Sequence, residues 1–145
     1  MSTFLVTMQF GLLIFQTALA APGVLRGTFP AVAWVLAVAS FALAVWTLWH
    51  NRPGNFNIRP IPKASGTMVT TGPYRWIRHP MYTALLLGAG ALVGVSDLLT
   101  GGLTWLALAI VLLLKANIEE RWMQEKHTGY TAYRRQSKRF LPWLL

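Results

Sequence analysis

Between Met1 and Leu25, and again between Gly27 and Asn51, the chain carries no charged side chain, and from His79 to Leu114 its only charge is Asp97. Each of these stretches is long enough, or nearly so, for the roughly 20 apolar residues that cross the hydrocarbon of a bilayer. Apolar residues make up 54% of the 145 positions and charged ones 12%, about half the charged share usual in soluble domains. A soluble domain of this length could not bury that much hydrocarbon, whereas lipid faces it directly. The expectation is an all-α integral membrane bundle, a single membrane domain over residues 1–145 with about four transmembrane helices.

Breakers and caps set the expected boundaries. A first helix over about 3–20 stops at Pro22-Gly23, and a second over about 30–49 opens with a proline at its first turn, where a missing N–H is harmless. The alternative for the first helix is a cleaved signal peptide, suggested by Ala18-Leu19-Ala20. The missing basic n-region and the length of the apolar run favour a retained span. A polar linker over 51–78, rich in Pro, Gly, Asn and basic residues, follows. The third helix covers about 80–95 and the fourth about 103–128, separated by an outer turn bracketed by Ser96-Asp97 and Gly101-Gly102. The fourth helix contains no breaker before Gly129, so it extends beyond the membrane. The final segment, 130–145, mixes Tyr, Phe and Trp with Arg and Lys and suits the headgroup interface.

Charge placement orients the bundle. Of 13 Lys and Arg, only Arg26 falls in the first interhelical loop, and the others lie at 52–78 or from 115 onward. This is the positive-inside pattern and puts the linker, the end of the fourth helix and the C-terminus in the cytoplasm. It also accounts for the net charge of +9 through membrane lipids and not nucleic acid. The absence of cysteine excludes disulfides and thiolate chemistry. His50, His79 and His127 show no metal-ligand spacing, so no metal is expected. The many small residues in the spans are compatible with an oligomer.

Two polar clusters fall at the same membrane face. In "GPYRWIRHPMY" (72–82), Arg75, Arg78 and His79 precede a helix opened by Pro80, with Tyr82 in its first turn. A helix N-terminus bearing such donors suits an anion such as a carboxylate. The plainer reading is a membrane-entry motif of basic and aromatic anchors. The second cluster is Asn117, Glu119 and Glu120. Glu119 has Lys115 one turn back, but Glu120 has no basic residue three or four positions away. It therefore faces water or takes a partner from elsewhere in the fold. Together the clusters suit a zwitterionic or cationic small molecule beside an apolar one.

"GPYRWIRHPMY", the later Glu-Glu pair and "GYTAYRRQSKRFLPW" (129–143) resemble the integral membrane methyltransferases, which include isoprenylcysteine carboxyl methyltransferase and the phospholipid N-methyltransferases. The resemblance covers about 66–143. It implies S-adenosylmethionine bound in a cytoplasm-facing pocket and a lipophilic small-molecule or lipid substrate entering from the bilayer. It assigns His79, Pro80 and Tyr82 to the first cofactor-binding motif and Glu119 and Glu120 to the second. Gly129, Tyr130, Tyr133, Arg139, Phe140 and Pro142 match the closing pattern that covers the cofactor, so Tyr130 and Tyr133 are expected to bind it. Arg75 and Arg134 are the candidate catalytic residues, orienting a carboxylate acceptor. For an amine acceptor, a glutamate or His79 serves as base. Ala84 stands where the family often has Gly, and Ser137-Lys138 where it often has Val-Pro, which leaves the acceptor open. The alternatives to methyl transfer are an NADPH-dependent sterol-type reductase and a non-enzymatic membrane binding or assembly module.

Overall fold

The computed structural model describes residues 2–51 and 68–142. Positions 52–67 of the expected linker and 143–145 of the expected C-terminal segment lie outside the described residues. Among the described residues there are five α-helices, α1 (Ser2–Leu25), α2 (Ala31–His50), α3 (Pro80–Val93), α4 (Leu98–Lys126) and α5 (Tyr130–Gln136), with a short 3-10 turn at Gly72–Arg75. No β-strand occurs among the described residues. Of these helices, α1, α2 and α4 are long and apolar enough to cross a membrane. α3 is apolar but has 14 residues, about 21 Å at 1.5 Å per residue, less than the roughly 30 Å of bilayer hydrocarbon.

α2 packs on α3, α1 runs along α4, and α3 also meets α4 and α1. One apolar cluster joins Ala89, Leu108 and Leu112 with Leu12, Leu13, Tyr82 and Trp105. Another, at the far end, is built on Ala20, Ala33 and Val95. Small side chains at these contacts let the helices approach closely, as membrane bundles require. Some polar side chains inside the bundle bond across helices, whereas the buried amide of Gln16 has no hydrogen-bond partner among the described residues. Ser40 Oγ donates to the Ala84 carbonyl at 2.7 Å, and Trp105 Nε1 donates to the Leu86 carbonyl at 2.8 Å. The outward faces are apolar, with Phe41 and Val35 of α2 exposed toward where lipid would lie.

Two boundaries differ from the sequence expectation. α1 does not stop at Pro22-Gly23 but runs through it to Leu25. The terminator is Gly27, whose φ of +68° is left-handed. Gly27 N–H bonds to the Val24 carbonyl at 3.0 Å and Thr28 N–H to the Gly23 carbonyl at 3.2 Å, the two bonds of a Schellman cap. Pro22 lies inside the helix and removes one i→i−4 bond, as prolines within membrane helices do. α4 begins at Leu98 and not at 103. Asp97 caps it, accepting the Thr100 N–H at 2.9 Å, so Gly101 and Gly102 lie inside the helix. Gly101 packs against Ser96, whose hydroxyl would have to turn away from a Cβ at this position. At 29 residues α4 is about 43 Å long and exceeds the hydrocarbon thickness.

After α5 the chain does not simply lie outside the bundle. Lys138 N–H donates to the Trp76 carbonyl at 2.8 Å, Arg78 N–H to the Lys138 carbonyl at 2.7 Å, and His79 N–H to the Arg139 carbonyl at 3.1 Å. The tail is thereby stitched to the residues that lead into α3.

Candidate functional site

The start of α3, the last third of α4 and the tail converge on Glu120. Its carboxylate is buried and accepts from three side chains across the fold. Arg78 Nε lies 3.0 Å from Oε1. Arg139 reaches both oxygens, Nε to Oε1 and Nη2 to Oε2, each at 3.1 Å. His79 Nε2 lies 3.3 Å from Oε1. Arg134 stands further out, with Nε 3.6 Å from Oε2 and its side chain 47% exposed. The partner that Glu120 lacked on its own helix comes from 78–79 and from the tail. A buried carboxylate is tolerable because several charge-assisted bonds replace its water.

Glu119 serves the other half of the site. The Tyr82 hydroxyl donates to its Oε1 at 2.5 Å, and His79 Nδ1 lies 3.3 Å from its Oε2. His79 thus bridges the two carboxylates with its two ring nitrogens. Its ring stacks on Tyr82 at 5.3 Å with 4° between the planes and meets Phe140 at 5.9 Å. Burial pulls the His79 pKa down, but the hydrogen bonds to Glu119 and Glu120 outweigh it, and the net effect is an increase. Both ring nitrogens then act as donors in an imidazolium.

The expected anion site at the start of α3 is largely taken by the protein itself. The His79 N–H is held by the Arg139 carbonyl, Pro80 has no N–H, and the Tyr82 and Thr83 N–H groups bond to the His79 carbonyl at 3.0 and 3.1 Å. Side-chain guanidiniums, not backbone amides, are therefore the anion donors at this end of the bundle. They line a cleft of about 320 Å³ formed by Arg78, Leu113, Arg134, Arg135, Ser137, Lys138, Arg139 and Phe140. Leu113 is exposed on the outer surface of α4, so the cleft borders the lipid-facing side.

The residues singled out from the sequence separate into three groups. His79, Tyr82, Glu119, Glu120 and Arg134 meet in the cluster. Pro80, Tyr130 and Tyr133 support it. Pro80 is buried in the first turn of α3. Tyr130 is buried and packs edge-on against Tyr133 at 5.8 Å. Tyr133 donates to the Tyr74 carbonyl at 2.6 Å, holding α5 against the 3-10 turn. Burial pushes the Tyr133 phenol up to about 12, so it remains a donor at neutral pH. Arg75 and Asn117 are exposed, and among the described residues neither bonds to Glu119 or Glu120. Arg78 and Arg139 were visible only as members of motifs, yet they make the shortest ion pairs to Glu120. Thr83, buried and donating to the Phe140 carbonyl at 2.7 Å, had no sequence signal beyond its position one turn into α3. Arg78 Nη1 adds bonds to the Arg134 carbonyl at 3.2 Å and to the Ser137 carbonyl.

A helical membrane bundle whose motif residues gather two carboxylates, a histidine and three arginines at one end has the makings of a membrane methyltransferase. The sequence model of the phospholipid methyltransferase family matches residues 28–129, and the chain belongs to that family. The cobalt-zinc-cadmium resistance protein CzcN of Cupriavidus metallidurans is 34% identical over 84 residues, 57% of this chain and 38% of that protein. The chain thus matches well under half the length of this relative.

Proposed function

We propose that the protein transfers a methyl group from S-adenosylmethionine to a lipophilic acceptor held in the bilayer, at a site facing the cytoplasm. The observation that carries this reading is the paired arrangement of Glu119 and Glu120 across the His79 ring, with guanidiniums on one side and the Tyr82 and Phe140 rings on the other. That donor set fits a zwitterionic nucleoside. Arg139 and Arg134 can take a carboxylate, the glutamates an ammonium or ribose hydroxyls, and the aromatic rings a flat base. Arg134 holds Glu120 most loosely and is the guanidinium best placed to exchange partners. The sidedness is supported by the crowding of Lys and Arg at this end.

When bound, S-adenosylmethionine supplies an electrophilic methyl group on a sulfonium. The protein's part is to align the acceptor and exclude water, which converts a slow encounter into an oriented displacement. The family match favours a lipid amine as acceptor. An amine must lose a proton, and Glu119, in contact with the His79 ring, is the candidate base that takes it up. A carboxylate acceptor would need no base, only an orienting arginine.

The test is transfer of labelled methyl from S-adenosylmethionine to lipid in membranes containing the protein, followed by mild alkali. Label extracted with lipid that stays non-volatile after alkali, in either phase, identifies an N-methylated acceptor, and label released as volatile methanol identifies a carboxyl methyl ester. No label above that given by Glu120→Gln membranes would sink the assignment.

A further inference from the structure

Lys115 lies one helical turn before Glu119 and is 2% exposed. A charged side chain within a membrane-spanning helix is costly and marks a functional position by default. Its Nζ donates to Gln9 Oε1 of α1 at 2.5 Å and lies 5.1 Å from the centre of the Tyr82 ring. The Tyr82 hydroxyl in turn donates to Glu119. A polar path therefore leads from α1 through the bundle to the site. Gln9 is itself buried and lies outside the span that matches the family.

We propose that Lys115 is a positioning residue of the methyl-transfer site, anchored by Gln9 and holding the Tyr82 ring so that its hydroxyl stays on Glu119. A cation over an aromatic face orients the ring as well as attracting it. The Tyr82 ring is held by this cation and by the stacked His79, and its hydroxyl fixes one oxygen of Glu119 while His79 fixes the other. An uncharged side chain of the same length would fill the space in α4 without directing Tyr82. In this arrangement α1 is part of the site and not only a membrane anchor. The inference rests on the reading of Glu119 as a cofactor-binding residue.

The test is a double-mutant cycle on the detergent-purified full chain, with affinity for S-adenosylhomocysteine read by calorimetry and melting temperature read in parallel. Lys115→Met and Tyr82→Phe are each expected to weaken binding about tenfold, the double variant no more than the weaker single, as for residues acting through one contact. Should Lys115→Met fail to accumulate, the pair at position 9 carries the test. Gln9→Glu keeps an acceptor for Lys115 and is expected to bind within about twofold of wild type, whereas Gln9→Leu weakens binding about as much as Lys115→Met. Losses that multiply in the double variant, or a Gln9→Leu or Lys115→Met protein that melts lower yet binds as wild type, would overturn the positioning role alone. A wild-type protein that does not bind S-adenosylhomocysteine removes the cofactor reading and this inference with it.

Discussion

Arg78 and Glu120 stand 42 positions apart in the chain, yet Arg78 Nε meets Glu120 Oε1 at 3.0 Å with both side chains almost wholly buried. This pair ties the entry of α3 to the end of α4, and Arg78 extends the tie to the tail through the carbonyls of Arg134 and Ser137. Removing one member of a buried ion pair leaves the other charged and unsolvated. Glu120→Gln would strand Arg78 and Arg139 together and is predicted to cost about 3 kcal/mol of stability. A clear fall in melting temperature of the detergent-purified protein checks it; an unchanged melting temperature contradicts it.

Arg78→Lys tests whether the forked guanidinium matters beyond its charge. Lysine keeps the charge but cannot reach a carboxylate and two carbonyls in different directions. The tail should then open more often, and its basic residues Arg134, Arg135, Lys138 and Arg139 should be cut faster by trypsin, by about tenfold if docking weakens by about 1.4 kcal/mol. Equal cleavage rates in the two proteins would mean that the tail is held by its backbone bonds alone.

The pH dependence follows from His79. Its pKa is raised in the folded protein because the bonds to Glu119 and Glu120 outweigh burial. Below the unfolded value of about 6.5 the ring is charged in both states and its contribution is fully present. As pH climbs through the raised folded value the proton is lost and so is the contribution. The melting temperature is predicted to fall across that window above about pH 6.5, and His79→Gln should flatten the slope. A melting temperature that rises over the same window contradicts this account of the ring.

Helix identity was legible in the sequence wherever a long charge-free run met a clear cap, as at Pro30 for α2 and Pro80 for α3. Boundaries failed where glycine and proline were read as breakers. At Pro22 the helix continues through the ring and ends at the left-handed Gly27, and at Gly101 the Asp97 cap starts the helix ahead of the glycines. The site was legible in its motif residues, because Arg-His-Pro-x-Tyr and Glu-Glu are contiguous signals. Its long-range pairing was not. Arg78 was legible as the first residue of that motif but its partner was not, and the pairing is completed by the tail, which bonds to 76–79 and carries Arg139 to the carboxylate. Lys115 was seen only as a possible helical neighbour of Glu119, since its contact with Gln9 bridges 106 positions.

Thr83 offers a milder test of the same docking. Its hydroxyl is buried and bonds to the Phe140 carbonyl at 2.7 Å. Thr83→Val keeps the shape and removes the donor, leaving a carbonyl without its partner, and is predicted to cost about 1 kcal/mol. The loss should appear as a lower melting temperature and a more easily cleaved tail. A valine variant as stable as wild type would assign tail docking to the 76–79 backbone bonds and the Arg78 contacts.

Whether the Glu119–His79–Glu120 cluster holds S-adenosylmethionine is decided by calorimetric titration of the detergent-purified protein with that compound. Saturable one-to-one binding, lost by at least about 100-fold in Glu120→Gln, is the predicted result and corresponds to about 2.7 kcal/mol of binding free energy. A folded wild-type protein that gives no binding heat and no thermal protection with S-adenosylmethionine or its demethylated product, but is protected by NADPH, would contradict it.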